Sequence, residues 1–173
     1  GAKAAPFLRE ALNDSRVVRR FDKEAWYRRA YPLPLICGLL EPIDPQTVVR
    51  HLTSYVGHED SRVRQCAASF LGEIGSAECI EPVLKLLDDE DDDVRSRAMN
   101  GIREGVKTDR CEKRFLDAVF AAVAKLLNRK TTSIFGEAPE LLLAIDAERA
   151  FPILLSAEYF TTDNPELHSI LDK

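Results

Sequence analysis

The sequence predicts an all-α fold, a stack of about five helical pairs, and three observations carry that prediction. The first is an internal repeat. Between Asp60 and Ile102 nearly the same pattern occurs twice at a spacing of 31 residues: Asp60 recurs as Asp91, Val63 as Val94, Arg64 as Arg95, Ala67 as Ala98, Leu71 as Ile102, and just beyond it Glu73 as Glu104. A period of this length marks stacked supersecondary units, each burying its apolar face against its neighbours. The second is helical periodicity. From Cys79 to Leu87 the apolar residues Cys79, Ile80, Val83, Leu84, Leu86 and Leu87 recur at threes and fours, which is one helix with a wide apolar stripe. The third is punctuation: acids fill the run from Asp88 to Asp93, ending that helix and offering N-caps to the next, which starts near Val94.

Taken in order, the chain reads as one domain over 1–173, with clear repeats at 45–75 and 76–106 and irregular ones at 5–44 and 107–173. Ala5 to Asn13 is a short helix. Arg16 to Tyr31 is a basic amphipathic one, with Val17, Val18, Phe21, Ala25 and Trp26 on its apolar side. The register then runs backwards through YPLPLICGLLEPID: Leu40 aligns with Leu71, Ile43 with Ile74, Leu52 with Val83, Tyr55 with Leu86 and Val56 with Leu87. Pro32 and Pro34 fit only the first turn of that helix, because proline breaks an interior. Pro42 and Pro45 bracket the turn into a helix from Gln46 to Val56.

In the clearer copy Val63, Ala67, Phe70, Leu71 and Ile74 form the buried face, the small alanines allow close helix approach, and Gly75 supplies the exit. Gly101 replaces Phe70 in the next copy, and Gly105 is expected to end its helix early. Asp109 and Glu112, at capping-box spacing, announce a long helix with Phe115, Val119, Ala122, Val123 and Leu126 on one face. A polar link, Asn128 to Ser133, leads to APELLLAID and then AERAFPILL. DNPELHSIL follows, with Asn164 as cap and Pro165 in the first turn.

The string VRQCAASFLGEIGSAECIEPVLKLLDDEDDDVRSRA resembles the HEAT-like repeat, in particular the short variety seen in phycobilisome lyase subunits. The shared marks are VR, an alanine pair, LG, IG, a helix, then acids and VR again. The resemblance implies an α-α superhelix in which the VR helices line the concave side. It implies little about function, since such repeats serve many roles.

Composition is that of a soluble globular protein: 173 residues, 45% hydrophobic and 31% charged, with net charge −5. No run approaches membrane-spanning length, and no leader with a cleavage site is apparent. Gly1-Ala2 in place of an initiating Met suggests a domain cut from a longer protein. Cys37, Cys66, Cys79 and Cys111 lack any C-x-x-C spacing and read as small core hydrophobes in a reducing compartment, the cytoplasm.

Each catalytic possibility is weaker than its bland alternative. Metal-dependent hydroxylases of similar fold use several His-Glu pairs, whereas this chain has one, His58-Glu59, with His51 and His168 far from it. DNA glycosylases of similar architecture need a basic face. The acidic balance disfavours a phosphate backbone, although Trp26-Tyr27-Arg28-Arg29 is a local exception. DDEDDD lacks the spaced donors and glycine of an EF-hand loop and reads as cap and linker.

The reading is therefore a non-catalytic module binding a protein or peptide on its concave face, with no cofactor and no metal. The alternative is a HEAT-like enzyme or enzyme subunit, lyase-type or DNA glycosylase-type. The expected partner-binding residues are those of the VR helices off the apolar stripe: Gln65 with Ser96, Ser69 with Asn100, Glu73 with Glu104, and Arg103 at the rim.

Overall fold

The computed structural model describes residues 2–14, 32–127 and 137–156. Among these residues there are nine α-helices and no strand: α1 (Ala5–Leu12), α2 (Pro32–Leu40), α3 (Pro45–Thr53), α4 (Ser61–Ile74), α5 (Ile80–Leu87), α6 (Asp92–Lys107), α7 (Lys113–Leu127), α8 (Glu137–Ile145) and α9 (Ala147–Ser156). The expected basic helix from Arg16 to Tyr31, the link from Asn128 to Ser133 and the closing DNPELHSIL lie outside the described residues.

The helices alternate between two layers. α4 packs on α6 and α6 on α8, while α5 packs on α7; consecutive helices from α2 to α6 and from α7 to α9 also meet. This is the stacking that the repeat requires. Val63, Ala67, Leu71, Val94, Ala98 and Ile102 are each no more than 1% exposed, and Leu40, Leu52 and Val56 are buried with them. The sequence period is therefore also the packing period.

The repeat extends into its polar turns, where the same bonds are made 31 residues apart. Asp60 caps α4 by accepting from the Arg62 N–H, and Asp91 caps α6 by accepting from the N–H groups of Asp93 and Val94. Just before each cap, His58 Nδ1 accepts from the Asp60 N–H and Asp89 Oδ1 accepts from the Asp91 N–H, both at 3.0 Å. Each VR arginine then reaches back six residues. Arg64 donates to the His58 carbonyl at 2.8 Å and Arg95 to the Asp89 carbonyl at 2.5 Å. Asp89 also accepts two bonds of 2.9 Å from Arg64, so the arginine of one repeat is locked to the turn of the next. Both side chains are nine-tenths buried. Such a pair is favourable only because its remaining hydrogen-bonding groups are met as well, here by the two loop carbonyls of His58 and Glu59.

The contact between α4 and α6 is the most extensive between any two helices described. Glycine is the cause. A Cβ at Gly72 would stand 2.8 Å from the Ile102 nitrogen, one at Gly101 would meet the Ser69 backbone, and one at Gly105 would stand 2.7 Å from the Glu73 carbonyl oxygen. Backbone touches backbone along this seam.

Several expectations need correction. Gly105 does not end its helix; α6 continues to Lys107, because Gly105 is buried against α4 and the missing side chain serves packing. Asp109 does not cap the next helix: it takes a left-handed conformation, φ 53°, in the turn after α6, and α7 starts at Lys113 directly after Glu112. Phe120 and Leu127, not Ala122 and Leu126, complete the buried face of α7 with Phe115, Val119 and Val123. α3 begins at Pro45, on the Asp44 cap, and stops at Thr53 instead of Val56. Cys79 belongs to a 3-10 turn, Ala77–Cys79, that leads into α5. Gly75 does supply the exit of α4, with φ 58°.

Candidate functional site

The expected binding residues lie on α4 and α6, and α8 proves to be their neighbour. Ser96 donates to Glu137 Oε1 at 2.8 Å, Asn100 donates to Ser96, and Arg103 bonds both Asn100 and, at 2.8 Å, Glu140. A polar chain thus crosses from α6 to the start of α8. Ser96, Asn100 and Arg103 are consequently half-buried and bonded within the fold, not pointing freely outward as the ladder supposed.

On α4 the picture differs. Gln65 and Ser69 are half-buried, and among the described residues neither side chain has a hydrogen-bond partner. Glu73 accepts from Arg110 at 2.9 Å, and Arg110 bonds Glu41 with its other nitrogen, so one guanidinium ties the ends of α2 and α4. Glu104 is the most open of the set and pairs with Lys107 one turn on. The rim charges Glu73, Arg103 and Glu104 are therefore all matched inside the chain. At such exposed positions each pair contributes about 0–1 kcal/mol and remains exchangeable for a partner's charge.

Sequence reasoning missed Glu137, Glu140, Arg110 and Glu41. Their positions follow from no period, since 41 residues separate Ser96 from Glu137 where the repeat has 31.

Groups of possible chemistry elsewhere are occupied or subdued. His51 shares a 2.8 Å hydrogen bond with the Tyr55 hydroxyl, and burial holds its pKa down. His58 is committed to Asp60, and Asp89 and Asp91 to the turn. Burial pushes the Cys37 thiol up to about 12 and the Cys111 thiol up to about 11, and raises Cys66 and Cys79 as well. All four remain protonated thiols at neutral pH, the opposite of a nucleophile's environment. Among the described residues no group of three His, Cys, Asp or Glu is placed to hold a metal ion.

A groove of about 670 Å³ lies between α3 and the corner after α4. α3 forms one wall with Pro45, Gln46, Val49, Arg50 and Thr53, and the corner after α4 forms the other with Ile74, Ser76 and Glu78, closed by Glu112. Among the described residues that line it there is no aromatic one.

Paired helices in two layers, joined by a turn whose bonds recur with the sequence period, define the class of α-helical repeat proteins. Within that class, residues 35–103 match the family model of HEAT repeats, from α2 through most of α6, so the chain carries HEAT-like repeats over this stretch. No curated protein matches the chain. Among the described residues no helix is long and apolar enough to cross a membrane.

Proposed function

We propose that this protein is a non-catalytic interaction module of the cytoplasm that binds a protein or peptide along the layer formed by α4, α6 and α8. HEAT repeats in general mediate protein–protein interaction or scaffolding. The observation that carries the reading is the polar chain from Glu137 through Ser96, Asn100 and Arg103 to Glu140, beside the unbonded Gln65 and Ser69. The bonded members fix the shape of the surface before a partner arrives, which reduces the ordering cost of association. The unbonded ones offer donors and acceptors to it. In this reading Gln65, Ser69 and Glu104 touch the partner, and Ser96, Asn100, Arg103 and Glu73 hold the surface in place. The protonated thiols suit a reducing compartment.

The test is a double substitution, Gln65→Arg with Glu104→Arg, compared with Glu81→Arg on the exposed side of α5. Surface changes of this kind alter stability by about 0.5 kcal/mol or less, so melting should move by no more than roughly 2 °C. Capture of a partner from cell extract should be lost in the double variant and kept in the control. Full capture by a folded double variant would move the binding face elsewhere.

A further inference from the structure

The groove between α3 and the α4–α5 corner shares no lining residue with the surface proposed above. Its floor is apolar: Val49 and Ile74 are 7% and 8% exposed and face it beside Pro45. Its charges are arranged by wall. Arg50, on α3, is exposed, and among the described residues no carboxylate pairs with it. Glu112, on the far side, is likewise exposed and without a cation. The polar groups of the turn, the Glu78 N–H and the Ser76 hydroxyl, hold the Glu78 carboxyl below its usual range, and among the described residues no cation pairs with it.

The surroundings make this contrast informative. Arg9 is paired with Asp44, Arg110 with Glu41 and Glu73, and Arg64 with Asp89, so the neighbouring turns match their charges internally. The groove's lining thus holds one cation and two anions beside an apolar strip, and among the described residues none of the three has an ion-pair partner. A ligand that completes this set must itself carry both signs with a small apolar group between them. A nucleic acid would meet two carboxylates. A helix would bring a broader face than the two-residue floor can cover.

We propose that the groove receives an extended segment of a partner protein that sets an acidic side chain on Arg50, a small aliphatic one on Val49 and Ile74, and a lysine or arginine on Glu78 and Glu112. Three successive residues in extended form span about 10 Å. Electrostatic matching selects and orients such a segment, and the apolar strip adds contact.

The experiment is an NMR titration of the full chain with capped pentapeptides: Gly-Asp-Val-Lys-Gly, its neutral analogue Gly-Asn-Val-Gln-Gly, and the doubly basic Gly-Lys-Val-Lys-Gly. The mixed-charge peptide should shift the amides around Arg50, Thr53, Ser76 and Glu112 saturably, and the neutral one should bind about tenfold more weakly, the worth of one charge-assisted hydrogen bond. Glu78→Gln with Glu112→Gln should weaken the mixed-charge peptide by a similar factor. Arg50→Glu should reverse the preference, so that the doubly basic peptide binds this variant more tightly than it binds the parent, a gain that misfolding does not produce. Equal binding of charged and neutral peptides, shifts confined to another surface, no saturable binding at all, or an Arg50→Glu variant without the gain would each overturn the proposal.

Discussion

Helix α6 meets its two layer neighbours in different ways. Towards α4 it presents Gly101 and Gly105 and comes to backbone contact, while towards α8 it presents Ser96, Asn100 and Arg103 and is held by side-chain hydrogen bonds. The first seam joins the two copies that keep the 31-residue period; the second joins a regular copy to an enlarged one. The difference teaches that glycines are useful only where two helices already share geometry. Once the period is lost, long polar side chains span the seam and tolerate a looser fit. Close packing gives the first seam its strength through dispersion and exclusion of water, whereas the bonds of the second exchange with water at small net gain.

Substitutions should rank accordingly. Leu71→Ala, emptying a fully buried site on α4, should cost about 2–5 kcal/mol in urea unfolding. A loss below half a kcal/mol would remove Leu71 from the core. Gly101→Ala should cost about 1–3 kcal/mol, because its Cβ would come within 3.0 Å of the Ser69 Cα and neither backbone can retract. If this variant is as stable as the parent, the close-packed account of the seam is wrong.

Asp89→Asn comes next, at roughly 1–2 kcal/mol at neutral pH, since asparagine keeps an acceptor and loses the charge. It also carries a pH signature. Burial alone would raise the Asp89 carboxyl, but the Arg64 guanidinium and the Asp91 N–H outweigh it and hold the pKa below the usual range. A carboxylate depressed in the folded state adds stability that is present above the ordinary aspartate pKa of about 4 and is lost as pH falls through the folded value. The stability difference between parent and Asp89→Asn should thus shrink as pH falls below about 4. A difference that stays constant down to pH 2 would detach the ion pair from stability.

Ser96→Ala should have the smallest effect, about 0.5–1.5 kcal/mol, as one hydrogen bond to a carboxylate at a half-buried seam. If it costs as much as Gly101→Ala, the two seams are not of different kinds.

What the sequence made legible follows the same division. Pairings such as Val63 with Val94 and Leu71 with Ile102 depend on apolar periodicity, which survives any detail of the turns, and they are buried together. Gly105 was misread because a glycine near a helix end resembles a terminator; only the neighbouring α4 reveals that it lies at a contact. Asp109 was misread because a capping spacing occurs by chance in a turn rich in charge. Gln65, Ser69, Glu73, Ser96, Asn100, Arg103 and Glu104 lie on α4 and α6, as the register requires. Half of their bonding was invisible, because Glu137 and Glu140 arrive through an irregular connection. Arg50, Glu78 and Glu112 belong to three separate elements, and no linear pattern brings them to one groove.

The four thiols have a use that follows from their placement. Cys37, Cys66, Cys79 and Cys111 fall one in each of the spans 5–44, 45–75, 76–106 and 107–173, and none is in a disulfide. Two are buried and two are half-buried, and burial disfavours thiolate in all of them, so alkylation of each is slow in the folded chain and speeds up when its own segment opens. The chain therefore contains one clock per unit. In a stack held by nearest-neighbour contacts the end units open more often than the middle ones, and the labelling rates of Cys37 and Cys111 against Cys66 and Cys79 would record that gradient without any foreign probe.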